Sequence, residues 1–232
     1  MEISVVIPAL NEEGAIMRTI LEIPVSELGK MGYGVEVIVV DNGSTDRTAE
    51  LALLAGARVV SEPRMGYGLA YKAGFARSRG SIIATGDADS SYPFSGLPAL
   101  VSKLEAGNLD FITTDRISML RAGAISRVNL VGNIILTFLV RSLFGVNIRD
   151  SQSGMWVFRK GILPRLEIAS DGMAFSQELK LEAYTKGLRC AEVPIAYRKR
   201  VGKVKLRTLR DGLSNAISLL RKRLSYWLKG LG

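Results

Sequence analysis

The sequence predicts an α/β fold, a mostly parallel sheet flanked by helices, and three observations carry that expectation. Short β-branched runs alternate with helical patterns through the first half of the 232 residues. Apolar residues make up 47% of the chain, enough to bury a sheet covered on both faces without disulfides. The conspicuous polar residues come directly after the apolar runs, where the carboxyl edge of a parallel sheet binds its ligands.

The elements follow in order. Ile3 to Ile7 reads as a strand, Glu12 to Leu28 as a helix, Val35 to Val40 as a strand and Thr45 to Ala55 as a helix. Val59-Val60 is a short strand, Gly68 to Ser78 a helix, and Ser81 to Thr85 a fourth strand. Gly56, Gly80, Gly107 and Gly187 stand where helices should stop, as left-handed residues just past the last turn. Phe111 to Thr114 is a further strand, Ile125 to Phe144 a helix, Met155 to Phe158 a strand, Phe175 to Lys186 a helix, and Ala191 to Ile195 the last strand. From there Leu206, Leu209, Leu213, Ile217, Leu220, Leu224 and Trp227 recur at three- and four-residue spacing. Arg207, Arg210, Arg221 and Lys222 lie mostly off that stripe, which predicts a basic amphipathic helix at the C-terminal end.

The formal charge is +9, and it is local: residues 198–229 hold eleven Lys or Arg against one acid, Asp211. A basic end of this kind suits phosphates or anionic lipid headgroups. Nucleic acid is the rival partner and is not the one expected. There is no histidine and one cysteine, Cys190, so acid-base or metal chemistry must use carboxylates. No basic leader or cleavable apolar segment precedes Ile3. Val128 to Phe144, at about 17 residues with Asn129, Asn133 and Arg141 inside it, reads as too short and too polar to span a bilayer. The expectation is a cytoplasmic protein, peripheral on the cytoplasmic face of a membrane.

Chemistry concentrates at the strand ends. Asn11 and Glu12 follow the first strand, Asp41-Asn-Gly-Ser-Thr-Asp46 the second, and Asp87-Ala88-Asp89 the fourth. Two carboxylates one residue apart can face one ion, and their hard oxygens suit Mg²⁺ or Mn²⁺ on a diphosphate. Acidic turns of this kind are common, so placement after an apolar strand is what gives the pair weight. Ser44 or Thr45 should cap the following helix with Asp46 in its first turn, while Asp41 is free to accept from a nucleobase or ribose. Gly66 and Gly68 would let backbone approach a ligand, or simply form a loop.

Together, Val6-Ile-Pro-Ala-Leu-Asn-Glu12, Val40-Asp-Asn-Gly-Ser-Thr-Asp46, Gly66-Tyr-Gly-Leu-Ala70 with Gly74, and Asp87-Ala-Asp89 with Pro93 resemble glycosyltransferase family 2 and its Rossmann-like GT-A fold. Asp150-Ser-Gln-Ser-Gly154 and Tyr197-Arg-Lys-Arg-Val-Gly202 with Lys205 are similar to the branch that makes dolichyl-phosphate mannose or glucose. The resemblance implies a nucleotide-sugar on Pro8, Ala9, Asn11, Glu12, Asp41, Gly66, Gly68 and Asp87 to Asp89, with the metal on Asp87 and Asp89. It implies Arg116 near the transferred sugar and phosphates, Ser153 on the acceptor side, and Arg200 and Lys205 on phosphates. Ser91 departs from the pattern, standing where a related type often has a glutamine near the metal.

These residues set the functional expectation: inverting, metal-dependent transfer of mannose or glucose from GDP-mannose or UDP-glucose to a polyprenyl (dolichyl) phosphate. A lipid phosphate is already anionic near neutral pH and needs no general base, which suits a chain without histidine. The alternative is a family 2 enzyme acting on a glycan or glycolipid hydroxyl, with Asp150 or Glu178 as base. A nucleotidyltransferase would carry a Gly- and Arg-rich loop in place of Pro8-Ala-Leu-Asn-Glu12, and a non-catalytic membrane or nucleic-acid module would use the basic end alone. Residues 1–205 are expected to form the catalytic domain, with a nucleotide-sugar half to about 115 and an acceptor half from 116. Residues 206–232 would be the helix, and a membrane-protein partner is left open.

Overall fold

The computed structural model describes residues 1–202 and 208–229. Seven strands form one sheet in the order β3-β2-β1-β4-β6-β5-β7. They are β1 (Glu2–Ala9), β2 (Gly34–Asp41), β3 (Arg58–Ser61), β4 (Ile82–Thr85), β5 (Phe111–Asp115), β6 (Trp156–Arg159) and β7 (Cys190–Pro194). β6 runs antiparallel to β4 and β5, and all other pairs are parallel. The mixed, mostly parallel sheet flanked by helices is the GT-A-like α/β architecture the sequence implies.

Among the described residues the α-helices are α1 (Ile16–Leu21), α2 (Val25–Lys30), α3 (Thr48–Leu54), α4 (Tyr67–Arg77), α5 (Leu97–Ala106), α6 (Arg127–Phe144), α7 (Phe175–Thr185) and α8 (Thr208–Leu228). The single helix expected over Glu12 to Leu28 is two, because Pro24 offers no N–H and stands at the start of the second. α5 is the helix that Gly107 implies, and the structure gives its span. Gly56 and Gly187 are left-handed as expected, with φ of 87° and 68°. After α5 that conformation falls to Asn108, at φ 45°, and not to Gly107. Gly80 serves a different need: a Cβ there would lie 2.6 Å from the Ser4 backbone nitrogen, so the chain hugs β1.

Alternation along β1 divides the core. Val5 and Ile7 face one layer with Ile16, Leu100 and Leu104, whereas Val6 faces the other with Tyr71, Phe75, Trp156 and Phe175. A third cluster joins α6 to α8 through Leu136, Val140 and Leu219, with Leu181 of α7.

α8 does not dock by the stripe the sequence picked out. Leu213, Leu220, Leu224 and Trp227 are each more than half exposed, while Asn215, Leu219 and Tyr226 are buried. Polar pairing on α7 sets that rotation: Lys222 Nζ lies 2.6 Å from Glu182 Oε1 and 3.2 Å from Glu178 Oε1. α6 exposes Val131, Ile134, Ile135 and Phe138, and 17% of it is buried. By length and composition alone, and against the sequence expectation, it is the one helix among the described residues that could cross a membrane.

Candidate active site

The loops after β1, β2 and β4 meet because these strands are adjacent and parallel, with Ala9 paired to Asp41 and Val6 to Thr85 in register. The β1 loop turns on Asn11, at φ 50°. Asn11 N–H donates to Ser44 Oγ at 2.9 Å, and Asn11 Oδ1 accepts from Thr45 N–H at 2.7 Å. Ser44 and Thr45 are thus spent on holding the two loops together. α3 receives its polar support from Asp46, whose Oδ1 accepts Thr48 N–H at 3.0 Å. Asp41 Oδ1 accepts Ser44 N–H at 3.2 Å and stands at the strand end beside Ala9. Pro8 and Ala9 close β1, and Glu12 follows as a buried carboxylate.

Asn42, absent from the expected set, organises the neighbouring loop. Its amide donates to the Glu62 and Arg64 carbonyls at 2.8 and 2.7 Å and accepts Gly66 N–H at 2.8 Å. Gly66 and Gly68 adjoin it, but their close approach is to protein. A Cβ at Gly66 would lie 2.5 Å from the Asp171 carbonyl oxygen, and one at Gly68 would lie 2.7 Å from that of Ser170.

Asp87, Ala88 and Asp89 follow β4. Asp87 Oδ1 accepts from the Tyr67 hydroxyl at 2.9 Å. Burial, and then the nearby Asp89 charge, push the Asp87 carboxyl up to about 7. Asp89 is 3% exposed, its Oδ1 accepts Ser91 N–H at 2.9 Å, and its Oδ2 faces Arg200 Nη2 at 3.1 Å. Ser91 is therefore an orienting group behind Asp89 and does not take the place of a longer metal-facing side chain.

No cluster of three or more Asp, Glu, Cys or His exists among the described residues, so protein would supply two carboxylates and the rest would come from phosphate and water. That donor set fits Mg²⁺ or Mn²⁺, which bind through one or two carboxylates plus substrate phosphates. Burial is the larger cause of the raised Asp87 carboxyl and the Asp89 charge the second, and a bound dication would offset both.

The residues expected on the acceptor side lie at and beyond the end of β5. Arg116, just beyond it, donates Nε to Asp150 Oδ2 at 2.7 Å and Nη2 to Oδ1 at 2.9 Å. Its own N–H also reaches Oδ2 at 3.1 Å, and its guanidinium lies 5.3 Å from the Tyr197 ring centre. Asp150 is wholly buried. Burial alone would raise its carboxyl, yet the Arg116 charge and hydrogen bonds hold it below the ordinary value. Ser153 is also wholly buried, its hydroxyl 2.7 Å from that of Thr114.

The segment after β7 straps the Asp87–Asp89 loop. Arg198 N–H donates to the Ser91 carbonyl and Val201 N–H to the Asp89 carbonyl, each at 2.9 Å. Arg200 bridges Asp89 and Glu12, the latter at 3.3 Å. Lys205 lies outside the described residues. The structure thus brings Glu12, Asp87, Asp89 and Arg200 into one constellation, and Arg116 joins it through Tyr197, whose ring stacks edge-on against Tyr92 of the β4 loop.

A family model described as glycosyl transferase family 2 matches residues 4–166. The chain belongs to glycosyltransferase family 2. It is 38% identical to the low-salt glycan biosynthesis hexosyltransferase Agl6 of Haloferax volcanii, over 90% of this chain but about half (51%) of that protein's length. A dolichyl-phosphate hexose transferase of the same organism is 33% identical over 95% of this chain and 93% of its own. Among solved structures, glucosyl-3-phosphoglycerate synthase of Mycobacterium tuberculosis with Mn²⁺, UDP-glucose and phosphoglyceric acid superposes with a TM-score of 0.77 and 27% identity, over 96% of this chain and 79% of that one.

This family 2 glycosyltransferase is an enzyme, and metal-dependent catalysis is the pattern of these structural relatives, which hold Mn²⁺ or Mg²⁺ beside UDP. The same structures correct the expected acceptor. They are of an enzyme crystallised with phosphoglyceric acid, so the narrowing to the dolichyl-phosphate branch, its polyprenyl-phosphate acceptor and its membrane association is withdrawn. The basic end gives a physical reason: Arg198 pairs with Glu22 at 2.7 Å, Lys222 with Glu178 and Glu182, and Lys229 with Glu167. Three of the basic residues read as facing headgroups are thus paired with carboxylates of this chain, Lys229 on its surface.

Proposed function

We propose that this enzyme transfers a hexose from a nucleoside diphosphate-hexose to a hydroxyl of a small phosphorylated acid, by metal-assisted displacement that inverts the anomeric carbon. The observation that carries the reading is the meeting of the Asp87–Asp89 pair with Arg200 and, through Tyr197, with Arg116 at the carboxyl ends of β1, β4 and β5. A divalent ion on Asp87 and Asp89 would offset the charge gathering on the departing diphosphate. Pro8, Ala9, Asn11, Glu12 and Asp41 line the side where the nucleotide would sit, with Ala88 between the two metal ligands. Arg116, locked by Asp150, presents a fixed positive charge toward anionic oxygens, and Arg200 is a second such charge that can exchange Asp89 for phosphate.

Neither carboxylate suggested as a base is poised for that role, so as the acceptor oxygen bonds to the anomeric carbon and the bond to the diphosphate breaks, the hydroxyl proton would pass to the departing diphosphate oxygen. Asp150 has both oxygens on Arg116, and Glu178 accepts Ser170 N–H at 2.8 Å and pairs with Lys222. In this reading residues 1–205 are the catalytic unit, with donor and acceptor halves meeting near 115, and the C-terminal part, of which residues 208–229 are described, is a basic amphipathic arm braced on the acceptor half through α8. A cytoplasmic setting is part of the same reading.

An acceptor panel tests it. Enzyme, Mn²⁺ and UDP-glucose or GDP-mannose are incubated separately with phosphoglyceric acid, glycerol 3-phosphate and a short polyprenyl phosphate, and products are weighed by mass spectrometry. Hexosyl-phosphoglycerate is expected. Product on the polyprenyl phosphate alone would overturn the assignment.

A further inference from the structure

Lys180 of α7 is 1% exposed, and its Nζ donates to the Ser153 carbonyl at 2.6 Å. That oxygen also accepts Ser176 Oγ at 3.0 Å and Trp156 Nε1 at 2.9 Å, so donors from α7 and β6 converge beneath the 150–154 loop. The ammonium lies 5.9 Å from the Trp156 ring centre. An amine has three donors, and burying it on one hydrogen bond is costly where a methionine would fill the same space without a charge. Packing does not account for it.

What the amine faces does. Asp150 in the loop, Arg116 beyond β5 and Glu192 of β7 are the charged groups acting on it. Glu192 accepts the Asp150 and Arg149 N–H groups at 2.9 and 2.8 Å, and Gln152 N–H closes back on Asp150 Oδ1 at 3.0 Å. The loop that carries Asp150 is thus gripped from below by Lys180 and from the side by Glu192.

We propose that Lys180 is a positioning residue for hexosyl transfer: by fixing the Ser153 peptide and adding positive charge opposite Asp150, it holds the carboxylate that aims Arg116. The proposal rests on the reading of Arg116 as a group that meets substrate phosphates. Burial lowers the Lys180 ammonium to about 7, with Asp150 opposing and Arg116 reinforcing that shift. Lys180 is therefore charged below that pH, and its hold on Asp150 weakens as pH rises through it.

The test follows the Arg116 Nε–H proton by NMR of ¹⁵N-arginine-labelled protein, assigned as the signal lost in Arg116→Lys. In the wild type it should move as pH passes through about 7. In Lys180→Met the part of that movement that comes from Lys180 should be gone between pH 6 and 8, leaving only the smaller response to Asp87, which also titrates at about 7, with kcat/KM for phosphoglyceric acid about tenfold lower and UDP affinity unchanged. Lys180→Gln serves for the same comparison should the methionine variant not fold. An Arg116 signal that titrates identically in wild type and variant overturns the proposal. Should wild-type enzyme fail to use phosphoglyceric acid, the acceptor reading falls, and the NMR comparison still decides the role of Lys180.

Discussion

Replacing Asp150 by asparagine separates an ion-pair partner from a general base. In the wild type both carboxylate oxygens accept from Arg116, at 2.7, 2.9 and 3.1 Å, and the aspartate is wholly buried. The amide keeps one acceptor and turns the other into a donor facing a donor, while the guanidinium loses its counter-charge. Breaking a buried pair on one side costs about 3–5 kcal/mol. For a chain of this length that is a fall in Tm of roughly 6–20 °C. A misplaced Arg116 should lower kcat/KM by about a hundredfold, and evenly with pH, because no proton transfer is lost.

The sign of the pH effect follows from the carboxyl lying below its ordinary value. Its contribution is complete above the unfolded pKa of about 4 and fades as pH falls through the lower folded one. The Tm gap between wild type and Asp150→Asn should narrow below about pH 4. Scanning calorimetry and steady-state rates measure both. An unchanged Tm with a rate that recovers as pH rises would refute the pairing and make Asp150 a base.

Other consequences are as direct. Asp89→Asn should remove the thermal stabilisation that Mn²⁺ with UDP gives the wild type, which at a hundred times Kd is about 2.7 kcal/mol; an equal shift in the variant would place the ion elsewhere. Gly68→Ala drives a Cβ to 2.7 Å from the Ser170 carbonyl oxygen and 2.9 Å from Phe175 Cβ, and should cost about 1–3 kcal/mol by denaturant unfolding. Gly132→Ala, in α6 with nothing within 4 Å of the added carbon, should instead gain about 0.5–1 kcal/mol. Equal effects at the two glycines would mean that contact with the Ser170 loop does not decide them.

Strands were legible because β-branched runs bounded by glycine have few other outcomes, and carboxylates directly after them could be placed at the ligand edge. Partners were not legible. Tyr67 on Asp87 and Asn42 gripping the Gly66 loop are contacts made by tertiary packing, whereas Ser91 meets Asp89 across two residues of one turn, and only that turn and Asn42, beside a turn glycine, carry a local signal. The outward apolar stripe of α8 shows the same limit from the other side. Periodicity finds a face, but the buried pairs of Lys222 with Glu178 and Glu182 choose which face meets the domain. Counting basic residues along the chain points to the wrong acceptor for a related reason: Arg198 and Lys222 pair with buried or partly buried carboxylates, and Lys229 with the half-exposed Glu167.

The most direct test follows the anomeric proton by NMR while the enzyme acts on UDP-glucose with Mn²⁺ and phosphoglyceric acid. The account predicts loss of the α-linked donor signal and growth of one β-linked hexosyl signal on the acid, abolished by EDTA and by Asp89→Asn. Donor consumed to free glucose alone, or product forming equally well without metal, would contradict it.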